Sequence, residues 1–262
     1  MSVLERPPSQ TVDEFISLVK QHHDFDEEHI AQLIPTIIAG DMSKYRLEQR
    51  WYRSLDANEP DYSVYADDEY IAEAWMCWAL YSRKYLLALQ KPTRHFPQSV
   101  STFLTDNGIK SVADLGCGFG YTTSALKQIF SAATVYGTNF KDSLQFKVAS
   151  SLSSAGDFHI RGSVDEIEQA DLVWASEYFE HFERPMSHLW DVLNELKPKA
   201  MLIQNSFGTK AVGHFDHYKL GTQTLTGRNM SIAFNKGLRQ AGWKAIKTGW
   251  WNERPKLWIK VR

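Results

Sequence analysis

The sequence predicts an α/β protein: a mostly parallel sheet with helices on both faces, a terminal antiparallel hairpin, and a helical cap in front. Three observations predict it. Apolar residues recur at helical spacing up to about Pro97, short apolar runs alternate with helical stretches after it, and one glycine-rich turn joins such a run to a helix. The change of period divides the chain into a substrate-covering helical segment, residues 1–98, and a second domain, residues 99–262.

Thr11-Val-Asp-Glu14 has the form of a capping box and opens a helix over Phe15 to His22. A second helix is expected from Asp26 through Ile38, stopping at Gly40. The clearest runs from Asp67 to Gln90, where Ile71, Trp75, Trp78, Ser82, Tyr85 and Leu89 share a face. Lys91-Pro92 ends it, because proline cannot continue the hydrogen-bond ladder. Ser54 to Tyr65 is polar and turn-rich and reads as a loop.

Beyond Pro97, strands are expected at Val112–Leu115, Thr134–Tyr136, Asp157–Ile160, Leu172–Ala175 and Met201–Gln204. Helices are expected at Thr122–Ile129, Ser143–Ser150, Pro185–Leu196 and Asn229–Gln240. Trp243–Thr248 and Lys256–Val261 read as two strands joined by a turn around Asn252 to Pro255, which adds an antiparallel strand to the sheet.

Composition narrows the function. The 262 residues carry 43% hydrophobic and 23% charged content, which excludes disordered, collagen-like and coiled-coil readings. A net charge of −2 argues against a dedicated nucleic-acid binder, although eight bases and one acid follow from Lys236 onward and leave a basic patch in play. Cys77 and Cys117 are too few for a disulfide framework or a cysteine-rich metal site and read as reduced thiols. Met1 to Thr11 has Pro7 and Pro8 and no apolar core, and no apolar run could span a bilayer, so a soluble, cytoplasmic protein is expected.

Val112-Ala-Asp-Leu-Gly-Cys-Gly-Phe-Gly120 carries the strongest chemistry. Its glycines allow a ligand to approach the backbone closely, and the turn feeds a helix N-terminus with free amides. The spacing is G-x-G-x-G and not the G-x-G-x-x-G of a dinucleotide site. Asp114, two residues before the first glycine, suits an amino group better than a pyrophosphate. Here the sequence resembles the class I S-adenosylmethionine-dependent methyltransferases, whose fold is Rossmann-like. The resemblance follows element order over about 99–262. It implies S-adenosyl-L-methionine as cofactor, held by Asp114, Gly116, Cys117, Gly118 and Gly120, with Asp114 near the methionyl amino group. It further implies Asn139 where the family has an acid for the ribose hydroxyls, Phe140 against the adenine, and Ser163 and Val164 at the adenine edge. An amide keeps one acceptor but loses the bidentate carboxylate contact. Read that way, Asn139→Asp should tighten cofactor binding or leave it unchanged.

Just past the fourth strand, Glu177, Glu180 and His181 are spaced to share one helical face, at the end of the sheet where α/β sites lie. Two carboxylates and an imidazole suit Mg2+ or Mn2+. The order E-x-x-E-H resembles the metal-assisted ubiquinone-pathway O-methyltransferases and small-RNA ribose 2′-O-methyltransferases. The second likeness makes His217, within Gly213-His-Phe-Asp-His-Tyr218, a fourth metal ligand, with His214 as substitute. It then fails, because Tyr218-Lys-Leu-Gly221 replaces the expected aromatic–acid–Trp run. Without metal, Glu180-His181 would cap and steady the nearby helix. His181 or His217 would serve as general base for an oxygen or nitrogen acceptor, and Glu177 completes the catalytic set.

The expected activity is methyl transfer to an O or N acceptor on a small molecule, with Tyr62, Tyr65, Trp75 and Trp78 as candidates to line the cap. The alternatives are metal-assisted RNA ribose methylation and a cofactor-fold binding protein without catalysis. There is no Pro-Pro-aromatic loop after the fourth strand, no Pro-Cys pair and no G-x-S-x-G elbow, so base-methylating DNA enzymes and a serine hydrolase are excluded.

Overall fold

The computed structural model describes residues 3–7, 11–24, 26–38, 45–250 and 254–261. The expected helix stop at Gly40 and most of the turn before Pro255 lie outside them. The N-terminal part supplies α1 (Val12–Lys20), α2 (Glu27–Ile38), α3 (Tyr45–Asp56) and α4 (Asp68–Met76). α4 continues through a π-helical stretch, Cys77–Ser82, into α5 (Arg83–Leu89), so the long predicted helix is present with one wide turn inside it. Thr11 precedes α1, but its side chain makes no capping hydrogen bond, because the residue is itself in the helical region (φ −113°, ψ −7°). Two elements were not expected. α3 continues into the predicted loop, and Tyr62–Ala66 forms a 3-10 turn whose Asp61 side chain accepts from the Ser63 amide.

The remainder runs α6 (Val100–Asp106), β1 (Ser111–Leu115), α7 (Tyr121–Ile129), β2 (Thr134–Thr138), α8 (Leu144–Gly156), β3 (His159–Arg161), β4 (Leu172–Ser176), α9 (Pro185–Leu196), β5 (Ala200–Gln204), β6 (His217–Leu220), β7 (Gln223–Thr226), α10 (Gly227–Gln240), β8 (Trp243–Ile246) and β9 (Lys256–Lys260). The seven-stranded sheet has the order β3-β2-β1-β4-β5-β9-β8. Its first five strands are parallel, and β9 enters antiparallel to both β5 and β8. β6 and β7 form a separate two-stranded hairpin that the sequence reading missed.

Strand alternation divides the core into two layers. Val112, Leu172, Trp174, Ala200 and Leu202 face one layer, shared with Phe15, Trp75 and Leu86 from the N-terminal helices. Ala113, Leu115, Val173, Ala175, Met201 and Ile203 face the other, against α9 and α10. Phe15 stacks on Trp75 (4.9 Å) and meets Phe119 edge-on (5.1 Å). Much of the N-terminal segment therefore covers a face of the sheet. Trp75 and Trp78 are buried there, which removes them from any cavity wall. A third, small cluster joins Leu47 and Trp51 of α3 and Val64 to Val212, in the loop after β5. Full burial of side chains this large contributes about 1.5–3 kcal/mol each. The Trp51 indole also donates to the His214 carbonyl (2.6 Å), fixing the cap beside the sheet's carboxyl end.

Candidate active site

β1 and β4 pair in register through Asp114 and Trp174, so the turns after them open at the same end of the sheet. Gly116, Gly118 and Gly120 all have positive φ (63°, 54° and 87°), the region that favours glycine. Their uses differ. A Cβ on Gly118 would meet no protein atom within 4 Å, and the residue lines an open cavity. A Cβ on Gly116 would stand 2.6 Å from the Tyr178 ring, and one on Gly120 would press on Ala149 at 3.0 Å, where α7 meets α8.

Asp114 does not line the cavity. It is 2% exposed, and its carboxylate accepts from Thr123 Oγ1 at 2.7 Å. Burial pushes its pKa up to about 7, partly opposed by that hydrogen bond. Cys117 is likewise buried, with its amide donating to the Thr138 carbonyl and its thiol pKa raised by burial. Both residues support the turn from behind.

Asn139 makes two local bonds. Its Nδ2 donates to the Gly118 carbonyl (3.1 Å), and its Oδ1 accepts from the Phe140 amide (2.8 Å). Phe140 is 66% exposed and presents its ring to the cavity, which Ser163 and Val164 also line. An exposed aromatic ring beside an open glycine cradle fits a nucleoside and an amino-acid tail, so the residues fit S-adenosylmethionine.

Across the cavity stand the residues after β4. Glu177 has φ +52°, costly for a non-glycine residue, and Gln204 holds it at both ends. The Glu177 amide donates to the Gln204 carbonyl (2.8 Å), and Gln204 Nε2 donates to the Glu177 carboxylate (2.8 Å). Glu180 is fully buried. It accepts from the Ser206 amide (2.6 Å), and burial beside Glu177 holds its carboxyl well above the usual range. His181 is brought down to about 3 by burial and by neighbouring His214, so its imidazole is neutral at physiological pH. Its Nδ1 lies 3.1 Å from the Tyr65 hydroxyl.

The expected four-ligand set is not assembled as read. Glu177, Glu180 and His214 offer ligand atoms within 4.8 Å of one another, and neither His181 nor His217 belongs to that group. Pleating explains the exchange: at the start of β6, Tyr218 points into the core and His217 is exposed at the cavity wall. Gln204 and Tyr178, which the sequence reading did not single out, also shape the site. Tyr178 roofs Gly116, and its hydroxyl lies 2.7 Å from His188 Nε2.

Residues 113–204 match the family described as a methyltransferase domain. The chain carries a class I S-adenosylmethionine-dependent methyltransferase domain. It is 26% identical over 133 residues to a malonyl-[acyl-carrier protein] O-methyltransferase from Brevibacillus brevis, covering 48% of each chain. It thus spans about half the length of that curated relative. A solved Nostoc punctiforme protein assigned as an O-methyltransferase has the same fold at 13% identity, with a TM-score of 0.50 over 82% of this chain and 69% of that one. A plantazolicin methyltransferase in complex with a desmethyl analogue and S-adenosylhomocysteine aligns at 16% identity, with a TM-score of 0.40 over 68% and 62%. Among the described residues of the methyltransferase chain, no helix is long and apolar enough to cross a membrane.

Proposed function

We propose that the chain transfers a methyl group from S-adenosylmethionine to an oxygen or nitrogen acceptor on a small molecule, in the cytoplasm, with residues 1–98 covering the acceptor. One observation carries this reading. A single cavity of about 1380 Å³ touches Gly116, Gly118 and Phe140 on one side and Tyr62, Tyr65, Glu177 and Phe215 on the other. Sites for one drug-sized molecule run to roughly 300–1,000 Å³, so this volume suits a cofactor and an acceptor side by side.

In this reading the glycine turn and Phe140 hold the cofactor, with Asn139, Ser163 and Val164 along its length and Asp114 fixing the turn. When bound, S-adenosylmethionine supplies a methyl carbon made electrophilic by its sulfonium. Glu177 presents a carboxylate that orients the acceptor and takes its proton. The neutral His181 imidazole and the Tyr65 hydroxyl complete the wall, and His217 stands at the cavity's solvent side. The Brevibacillus relative keeps a carrier-borne oxygen acceptor among the substrates to assay. Methyl-labelled S-adenosylmethionine incubated with small phenols, alcohols and amines tests the proposal: label should move to a small acceptor, and no transfer to any class would oppose it.

A second reading rests on Glu177, Glu180 and His214. Two carboxylates and an imidazole suit magnesium or manganese, and a cation there would offset the buried charge of an ionised Glu180. Such an ion would lower the pKa of an acceptor hydroxyl, as the RNA ribose chemistry requires.

A further inference from the structure

The acceptor side of the cavity has a charge and a surface chemistry that select among acceptors. Five acidic side chains line the cavity against two lysines. Lys141 is paired with Glu166 (3.1 Å), and Lys219 donates to Thr224 Oγ1 (3.3 Å), so both ammonium groups already have oxygen partners. On the acceptor side, Glu177, Glu183 and Asp216 stand among aromatic rings. Tyr62, 53% exposed, lies nearly parallel to Tyr65 (17°, centroids 6.4 Å), and Tyr65 meets Tyr70 edge-on at 4.9 Å. Aromatic faces beside a carboxylate attract cations and repel anions.

We infer that the acceptor is an amine, bound as a cation between the Tyr62 and Tyr65 rings and the Glu177 carboxylate. This rests on the methyl-transfer reading above and narrows it. The chemistry agrees with the charge of the wall. An ammonium first gives one proton to Glu177. The neutral nitrogen's lone pair then forms the N–C bond as the C–S bond breaks, and that bond's electron pair stays on sulfur. Positive charge passes from sulfur to nitrogen, so an acidic wall faces a cation before and after transfer. A carboxylate or phenolate acceptor would have to enter against the same acids.

The test is calorimetry on the full chain saturated with S-adenosylhomocysteine, with chelator present, using three probes of one shape. Choline is cationic, 3,3-dimethyl-1-butanol neutral and 3,3-dimethylbutanoate anionic. Choline should bind most tightly, by about tenfold or more over the anion. Glu177→Gln should remove most of that preference while S-adenosylhomocysteine affinity holds. Tyr62→Leu, at an exposed position, should weaken choline alone. Equal or tighter binding of the neutral or anionic probe, no binding of choline, or a preference untouched by both variants would overturn the amine assignment. Loss of S-adenosylhomocysteine binding by the wild-type chain would instead overturn the cofactor reading, and the amine assignment with it.

Discussion

Asn139 donates from Nδ2 to the Gly118 carbonyl at 3.1 Å, so the side chain standing where the family has a ribose-binding acid also braces the glycine turn. A carboxylate cannot make that bond. Asn139→Asp would place a charged acceptor against a carbonyl, and the structure reverses the effect the sequence alone suggested. S-adenosylhomocysteine affinity should fall by roughly 1–2 kcal/mol, about five- to thirtyfold, in a calorimetric titration. Tighter binding would mean that the side chain leaves the turn for the ribose.

Asp114 and His181 push stability in opposite directions with pH. The Asp114 pKa is raised from 3.8 to about 7, so its favourable contribution is complete below 3.8 and is lost as pH rises towards 7. Wild type should lose on the order of 4 kcal/mol relative to Asp114→Asn between pH 4 and 8, read by denaturant unfolding. A pH-independent difference would contradict the buried, raised carboxyl.

His181 has its pKa lowered from 6.5 to about 3, so its contribution is complete above 6.5 and is lost as pH falls towards 3. Relative to His181→Gln, wild type should become less stable as pH falls from 7 to 4. An unchanged difference over that range would mean that the imidazole is not buried neutral.

Gly213 lies against the Tyr65–His181 pair. Its φ is +83°, and a Cβ there would collide with the Tyr65 hydroxyl and approach His181 Nδ1 to 2.6 Å. Gly213→Ala should destabilise the fold by about 1–3 kcal/mol and lower acceptor turnover more than cofactor affinity. A silent substitution would show that the cap does not seat as described.

Much of this was legible in the sequence because buried parallel strands read as short apolar runs: Val112–Leu115 and Leu172–Ala175 are strands within one residue of expectation. α3 was missed although Leu47, Trp51 and Leu55 recur every four residues, because the charged residues among them hid the stripe. The β6–β7 hairpin was missed because only Tyr218, Leu220 and Leu225 alternate around Gly221. Cofactor-side residues sit in one local motif and could be named from it. The partnership of Glu177 and Glu180 with His214 could not, since no periodicity tells which histidine of a loop turns towards carboxylates distant in sequence. Gln204 was readable only as the end of a strand, yet its place at the sheet's carboxyl end was a usable signal.

The metal question has a direct answer. If Glu177, Glu180 and His214 hold a cation, chelation should abolish turnover and magnesium or manganese should restore it, with cofactor affinity unchanged. Without a cation, chelator should leave turnover intact. We expect the intact outcome, because Glu180 already accepts from the Ser206 amide and its raised pKa keeps it protonated.

The most direct test of the account is titration of S-adenosylhomocysteine into wild type and Gly118→Val. A side chain at Gly118 meets no protein atom and would stand in the space assigned to the cofactor. The wild-type chain should bind, and the variant, folded by circular dichroism, should bind about tenfold or more weakly. Absence of binding to wild type, or equal binding to the variant, would contradict the placement of the cofactor at the glycine turn.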